Sequence, residues 1–283
     1  MSKIILTADS PCDLSEELIQ RYNVNILPLH VILGDKDHLD GVNIVADDIY
    51  AYYDKHEILP KTAAIAPYEY IEYFKKWTDA GYSVIHFNIS SNMSSSYQNA
   101  CLAAEQLGNV YPIDSRNLST GIGLLVLEAA ERIAQGMPAT QIVEEVTLQR
   151  EKVQASFILN TLEYLHAGGR CSAIAALGAN ILNLKPCIEV NNIEGKMGVG
   201  KKYRGNLGTV LQRYVRDKLQ DRTDLDLKRI FITHSGISQE LVDLVRKTVE
   251  ENANFQEILI TRAGCTISSH CGPNTLGILF MTK

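Results

Sequence analysis

The chain has 283 residues, of which 46% are hydrophobic and 21% charged, a composition typical of one large globular domain or two ordinary ones. Its net charge of -6 argues against a general nucleic-acid binder, which normally carries a basic surface. No apolar run approaches the ~18 residues of a membrane span, and the first residues lack the apolar core of a signal peptide. We therefore expect a cytoplasmic protein without stable membrane insertion.

The N-terminal segment begins with an apolar run at 3–8, which predicts a buried parallel strand. Asp9 and Ser10 follow it directly. They are expected either to face a ligand, since open α/β sheets bind ligands at the carboxyl ends of their strands, or only to form the turn.

The next elements are predicted from capping residues and prolines. Asp13, with Glu16 three residues later, resembles a helix N-cap with a capping box. The run at 25–33 is apolar but contains Pro28, which predicts an edge strand. The segment 59–67 has a proline on either side of small residues and predicts an extended loop.

A hydroxyl-rich segment separates a predicted strand at 83–89 from a predicted helix at 97–107. Residues 90–96, the serine turn, contain five serines. The first N–H groups of a helix and the helix dipole both favour negative charge, so this order predicts an anion site. Because the turn holds no Lys or Arg, a small anion such as a carboxylate fits best. The alternative is a plain loop whose hydroxyls cap the helix.

The rest of the first half continues the alternation, with a strand at 109–113 and apolar or amphipathic helices at 119–135 and 139–151. Short loops between alternating strands and helices predict a parallel sheet with helices on both faces. We therefore expect an α/β domain at residues 1–155.

The second half has a different order of elements. Strands are predicted at 155–159, 185–190, 229–235, 257–261 and 276–281, with a further strand ending at 201–205, and helices at 160–172, 173–182, 205–219 and 238–252. This mixture predicts a second, mixed-sheet domain at 156–283, whose Ala-rich helix and apolar strands are candidates for an apolar tunnel.

Familiar catalytic and cofactor motifs are missing from the sequence. Residues 195–202 nearly form a phosphate-binding loop, but Lys202 occupies the position that requires Ser or Thr, and the context is a hairpin. No serine lies in a G-x-S-x-G elbow. The six cysteines are scattered without a C-x-x-C pair, which predicts buried thiols rather than disulfides or a metal site.

An ordered set of short segments gives the most specific signal. The segments are Thr7-Ala8-Asp9-Ser10, 89–98, Ile113-Asp114-Ser115, 162–165, Gly168-Gly169-Arg170, Leu184-Lys185-Pro186, 202–205 and His270-Cys271-Gly272-Pro273. Together they resemble the DegV family of bacterial fatty-acid-binding proteins. The resemblance implies two α/β domains with a lipid held between them and no independent catalysis.

The same resemblance implies roles for individual residues. The carboxylate cradle would consist of Thr62, Ser94, the amide of Ser95, and His270. Arg170 and Arg204 would face a partner fatty acid kinase subunit, which phosphorylates the bound acid to an acyl phosphate. The ligand would be a fatty acid such as palmitate, stearate or oleate, with no cofactor or metal. The family usually has glycine at the positions of Asn92, Ser95, Ser268 and Asn274, and asparagine tolerates the left-handed backbone that a turn requires.

Other interpretations of these residues stay open at this point. His270 in its Gly-Pro turn would also suit a structural hydrogen bond, and Arg170 and Arg204 would also suit ion pairs between domains. A second functional class is a small-molecule hydrolase or transferase using Ser94 and His270. A third is a scaffold that binds only a protein through its two arginines.

Overall fold

The computed structural model describes residues 3–172 and 184–283. Its strands are β1 (Ile4–Asp9), β2 (Val24–Leu27), β3 (His30–Leu33), β4 (Lys36–Leu39), β5 (Lys61–Ala63), β6 (Ser83–Asn88), β7 (Val110–Asp114), β8 (Val153–Ile158), β9 (Leu184–Asn191), β10 (Lys196–Arg204), β11 (Leu225–His234), β12 (Glu257–Arg262) and β13 (Leu276–Thr282). Its helices are α1 (Glu16–Arg21), α2 (Ala46–His56), α3 (Pro67–Thr78), α4 (Ser96–Leu107), α5 (Thr120–Ala134), α6 (Ala139–Gln149), α7 (Glu163–Gly168), α8 (Leu207–Leu219), α9 (Gln239–Asn252) and α10 (Cys265–Cys271). The helix predicted at 173–182 lies outside the described residues.

The first sheet has four parallel strands in the order β2-β1-β6-β7, which confirms the parallel sheet expected for the first half. Leu6 on β1 pairs with Val24 on one side and Ile85 on the other. Helices cover both faces, so the central strands need continuous apolar runs rather than alternation. The carboxyl ends of β1 and β6 lie side by side, and the loops that follow them meet at one edge.

The second sheet has six strands in the order β10-β9-β8-β13-β11-β12, and only β11 and β12 run parallel among its neighbouring pairs. This confirms the mixed sheet expected for the second half. Its earliest strand begins at Val153. The division of the chain into domains at 1–155 and 156–283 stays a prediction.

A small antiparallel sheet, in the order β4-β3-β5, corrects two expectations. The single edge strand predicted at 25–33 is wrong, because the chain leaves the first sheet at Leu27 and enters the small sheet at His30. Pro28 lies between the two strands and has no N–H to continue a ladder. The loop predicted at 59–67 contains β5, which pairs with β3 and carries Thr62.

Helix α5 lies between the two large sheets and packs against β1, β6, β8 and β13. Its residues from Thr120 to Ala130 are all buried, as expected for a helix that is apolar all round. The largest apolar core therefore takes residues from both sheets and from α5.

The predicted cap of α1 is wrong by two residues. Ser15, not Asp13, is the N-cap, and its hydroxyl accepts a hydrogen bond from Leu18 N at 3.4 Å. Asp13 is buried with a left-handed backbone at φ 50° and accepts hydrogen bonds from Ser119 Oγ at 2.5 Å and Gly264 N at 2.8 Å. These long-range partners are invisible to a local capping pattern.

Candidate functional site

A mostly apolar cavity, the first chamber, lies where the serine turn, the small sheet and α10 converge. Its lining surrounds about 550 Å³ of space, with the solvent in its open mouth included. Its apolar walls include Leu29, Ile89, Met93, Leu118, Leu165 and Ile267.

Three of the predicted cradle residues, Thr62, Ser94 and His270, line this chamber. Thr62 Oγ1 lies 2.9 Å from His270 Nε2, so these two side chains, 208 positions apart in sequence, share a hydrogen bond. Side chains from the small sheet, the serine turn and α10 therefore line one cavity, and we call Thr62, Ser94 and His270 its polar corner.

The serine turn is held by hydrogen bonds to elements on both sides. Ser90 N donates to Asn117 O at 2.9 Å, and Ser90 Oγ donates to Gly195 O at 2.7 Å. Met93 N and Ser94 N both donate to Ser90 O, which coils the backbone into α4. The turn thus presents Ser94 to the chamber from a fixed backbone.

The fourth predicted cradle group, the amide of Ser95, lies outside the chamber lining. The Ser95 side chain is exposed, and no hydrogen-bond partner of its amide occurs in residues 3–172 or 184–283. Asn274 has φ 59°, which confirms that it supports a left-handed turn. Asn92 has no such angle, and its side chain instead donates to Glu194 O at 2.6 Å.

His270 belongs to α10 rather than to the predicted Gly-Pro turn, which begins only at Gly272. Asp40 fixes the start of this short helix, because its carboxylate accepts from Cys265 N at 2.6 Å and from Thr266 N at 3.1 Å. Ser10 Oγ donates to the same carboxylate at 2.9 Å. Sequence reasoning missed α10 and its cap, since a seven-residue helix gives too short a period to recognise.

Burial, followed by the nearby Arg170 guanidinium, lowers the pKa of His270 from 6.5 to about 4. Its imidazole is therefore neutral near pH 7 and offers a hydrogen bond without a charge. Nε2 faces Thr62, while Nδ1 is buried without a partner in the described part of the chain.

Gly168 is the neighbour that shapes the position of this ring. A Cβ atom at residue 168 would lie 2.2 Å from His270 Nδ1 and 3.1 Å from His270 Cε1. Only glycine allows α7 to approach the ring so closely. The Gly168-Gly169-Arg170 segment was recognisable in sequence, but the reason for its first glycine was not.

The two predicted arginines occupy different places. Arg170 is exposed at the chamber, and its Nη1 donates to Gly168 O at 2.6 Å. Arg204 is exposed at the end of β10, paired with Leu184, and is absent from the chamber lining. Met197, near the start of the same strand and seven positions before Arg204, does line the chamber.

A second apolar cavity, the second chamber, adjoins the first and holds about 330 Å³ of space, its opening included. Leu118, Ile267 and Cys271 line both chambers and form the junction between them. Phe157 and Leu279 of the six-stranded sheet also line the second chamber. Strands predicted as tunnel candidates thus contribute to this second cavity, whereas the Ala-rich helix lies outside the described residues.

The geometry does not favour a hydrolase or transferase built on Ser94 and His270. Ser94 Oγ bonds to Ser96 Oγ at 2.8 Å, while His270 Nε2 faces Thr62. No carboxylate orients His270 Nδ1 within the described residues. The nucleophile–base–carboxylate arrangement that such chemistry requires is not formed.

The described residues contain neither a metal-binding cluster nor a membrane-spanning helix. Within residues 3–172 and 184–283, no group of three or more His, Cys, Asp or Glu side chains is arranged to hold a metal ion. Among the helices of the same residues, none is both long enough and apolar enough to cross a bilayer.

The fold and site define a class of protein: an α/β protein with two large sheets and adjoining apolar cavities, one of which is lined by a few hydrogen-bonding side chains. The DegV family of uncharacterised proteins matches residues 3–283, and the chain belongs to that family. A DegV domain-containing protein of Clostridium perfringens is 33% identical over 288 residues, with 100% of each chain covered.

Solved structures of DegV family proteins have the same fold as this chain. A fatty-acid-binding DegV family protein from Thermus thermophilus has a TM-score of 0.89 at 26% identity, covering 99% of this chain and 100% of that one. The fatty-acid-binding DegV family protein SAG1342 from Streptococcus agalactiae has a TM-score of 0.85 at 26% identity, covering 100% of both.

Gly168→Ala is expected to destabilise the protein by about 1–3 kcal/mol, because the new methyl group overlaps the His270 ring and must displace it from Thr62. Urea unfolding measures this change. Gly198→Ala is the matched control, since a Cβ there meets no atom within 4 Å. Equal free energies of unfolding for the two variants would contradict the close packing of Gly168 on His270.

The lowered pKa of His270 predicts a pH-dependent stability. Unfolded histidine binds a proton below about 6.5, whereas His270 in the folded protein stays neutral down to about 4. The unfolded state therefore binds more protons between these values, and wild-type stability falls as the pH falls through this window. At pH 5 this contribution is about 2 kcal/mol.

The measurement is the free energy of unfolding at pH 7 and pH 5 for wild type, His270→Gln and His56→Gln. His56 is exposed on α2 and serves as the control. On acidification, the free energy of unfolding of His270→Gln should fall by about 2 kcal/mol less than that of wild type, and that of His56→Gln should fall as much as wild type. Parallel pH profiles for wild type and His270→Gln would refute a neutral, desolvated imidazole.

Proposed function

We propose that this protein binds one long-chain fatty acid, with the carboxylate at Thr62, Ser94 and His270 and the tail in the two chambers. The observation that carries the proposal is that these three hydrogen-bonding side chains line a mostly apolar cavity that adjoins a second one. The hydroxyls of Thr62 and Ser94 and the His270 imidazole are hydrogen-bonding groups that satisfy a carboxylate, and the Ser95 amide is a further proposed donor. The fatty-acid-binding relatives described above support the same ligand class.

The carboxylate head and the apolar tail of the fatty acid are expected to contribute differently to binding. At ~0.8 kcal/mol per buried methylene, a tail of roughly 16 carbons gains on the order of 12 kcal/mol before the costs of binding. Charge-assisted hydrogen bonds contribute about 1.5–3 kcal/mol each against the desolvation of the carboxylate. The tail therefore sets most of the affinity, and the polar corner sets the orientation. Palmitate, stearate and oleate are all candidate ligands, held without a metal or other cofactor.

We propose further that the bound acid is presented to a partner fatty acid kinase, with no catalysis by this chain. Arg170 is exposed beside the polar corner, where a partner has access to it.

The near phosphate-binding loop at 195–202 spans the end of a turn and β10 of an antiparallel hairpin, so it does not start a helix that would bind nucleotide. Arg204 is assigned to the partner-facing surface on the resemblance alone. Cys12, Cys101, Cys187, Cys265 and Cys271 are free thiols, which suits the reducing cytoplasm.

Mass spectrometry of the purified, untreated protein tests lipid binding directly. The native mass is expected to exceed the denatured mass by one fatty acid, which identifies the acyl chain. Ile267→Trp should abolish binding of an 18-carbon acid, because the larger side chain fills the junction between the chambers.

Leu102→Trp is the matched control, since Leu102 is 54% exposed on α4. Equal native and denatured masses, with no uptake of added oleate or palmitate, would refute the proposed function. Retention of oleate by Ile267→Trp would refute only the proposed path of the tail.

Thr62→Ala and Ser94→Ala are expected to retain oleate but to slow its phosphorylation by a partner kinase by at least about tenfold. The apolar tail holds the ligand in both variants, whereas the reacting carboxylate loses its orientation. The assay combines oleate-loaded protein with a purified bacterial fatty acid kinase subunit and ATP, and traps the acyl phosphate as a hydroxamate. Loss of oleate from either variant during chromatography would contradict this separation of roles.

A further inference from the structure

A third cavity, the outer cleft, lies next to the second chamber. Its lining surrounds about 820 Å³ of space, with open solvent included. Arg262 and Gly264 line the outer cleft, whereas Ala263 between them lines the second chamber. Successive residues of the chain thus face different cavities, so a single stretch of backbone separates the two spaces at this point.

A hydrogen bond between two side chains continues the same partition. Ser119 lines the second chamber and Asp13 lines the outer cleft. Ser119 Oγ donates to Asp13 Oδ2 at 2.5 Å, and Gly264 N donates to Asp13 Oδ1 at 2.8 Å. One carboxyl group therefore ties the start of α5 to residues 262–264. We call Asp13, Ser119 and Ala263 the end wall.

The end wall is buried, fixed and uncharged. Its three residues are each at most 5% exposed, and Ala263 N donates to His234 O at 2.9 Å. Burial raises the pKa of Asp13 to about 8, although the hydrogen bonds from Ser119 and Gly264 oppose the rise. The Asp13 carboxyl is mainly protonated at pH 7, so the wall presents no net charge to an apolar ligand.

Ser119 keeps its side chain at a backbone position that favours glycine. Its φ of 52° and ψ of -145° lie in a region that residues with a Cβ rarely adopt. Such a conformation persists only where the surrounding structure fixes it, and the hydrogen bond to Asp13 is a contact that glycine would not make. The backbone at residue 119 therefore does not need a side chain, whereas the partition does.

We propose that the end wall terminates the tail site and limits the length of fatty acid that the protein binds. This inference rests on the proposed function, which places the tail in the two chambers, and it identifies the residues that set ligand length. The polar corner lines the first chamber and the end wall borders the second. Each added methylene gains affinity only while it finds apolar space, and a tail that overfills the second chamber must displace the wall.

A series of saturated, unbranched fatty acids tests this limit. Delipidated protein is incubated with an equimolar mixture of acids of roughly 12 to 24 carbons, delivered on cyclodextrin, and native mass spectrometry measures which acids are bound. Occupancy of the wild-type protein should rise with length, by up to about fourfold per added carbon, and then fall beyond one length.

Ser119→Gly removes the hydroxymethyl group from the wall and is compatible with the backbone at this position. The length of greatest occupancy should increase by about two carbons, and acids just beyond the wild-type limit should gain at least about tenfold in occupancy. Asn109→Gly is the matched control, because Asn109 also has a left-handed backbone, with φ 53°, but is exposed between α4 and β7. Its length profile should match that of wild type.

Ala263→Val thickens the same wall and should shift the limit in the other direction, toward acids shorter by about two carbons. Thermal unfolding establishes that each variant folds, and Ser119→Gly decides alone if Ala263→Val does not. The proposal is overturned if Ser119→Gly keeps the wild-type profile, if Asn109→Gly shifts it as much, or if folded Ala263→Val does not shorten the limit.

The wild-type profile separates this inference from the proposed function. Occupancy that keeps rising through the longest acid would overturn the end wall while leaving fatty-acid binding intact. A wild-type protein that takes up no acid of any length would instead refute the proposed function.

Discussion

The site depends on hydrogen bonds from the start of a short helix to two buried aspartate side chains, Asp13 and Asp40, that lie far away in sequence. Asp40 binds the first amides of α10, and Asp13 binds the preceding amide of Gly264. These bonds satisfy donors that a buried helix start would otherwise leave unpaired, at a cost of about 1–3 kcal/mol for each buried group. They also hold His270, in the last turn of the helix, against Thr62. One set of bonds therefore sets both the packing of α10 and the position of its imidazole.

Charge is kept out of the polar corner itself. His270 is neutral because burial lowers its pKa, and the cation nearest to it, Arg170, remains exposed at the mouth. A carboxylate in this corner would be matched by dipolar donors, with a screened positive charge behind them. Such an arrangement lowers the cost of burying the anion without creating a buried ion pair, which is costly to break. It is also compatible with release of the ligand, because no strong Coulomb contact has to be broken.

The local sequence pattern was sufficient to predict most strands and helices. It was insufficient to predict which residues come together at the site. The apolar runs of β1 and β6 and the apolar helix α5 were predicted because burial on both faces leaves a continuous apolar segment. Asp13 was misassigned because its partners, Ser119 and Gly264, lie more than a hundred positions away in sequence. Thr62 and His270 entered only through the family resemblance, because no periodicity marks a threonine on a three-residue strand.

The serine turn shows that a correctly predicted order of elements does not establish which groups face a cavity. Strand, hydroxyl-rich turn and helix were predicted in order, and an anion site was inferred from the free amides of the helix start. In the structure, Ser96 N is already bonded to Ser94 Oγ, and the exposed Ser95 lies outside the chamber. The hydroxyl of Ser94, rather than the start of the helix, is the group that lines the chamber. It is held there by a hydrogen bond with the buried Ser96 Oγ at 2.8 Å, a partner that the run of serines in the sequence does not single out.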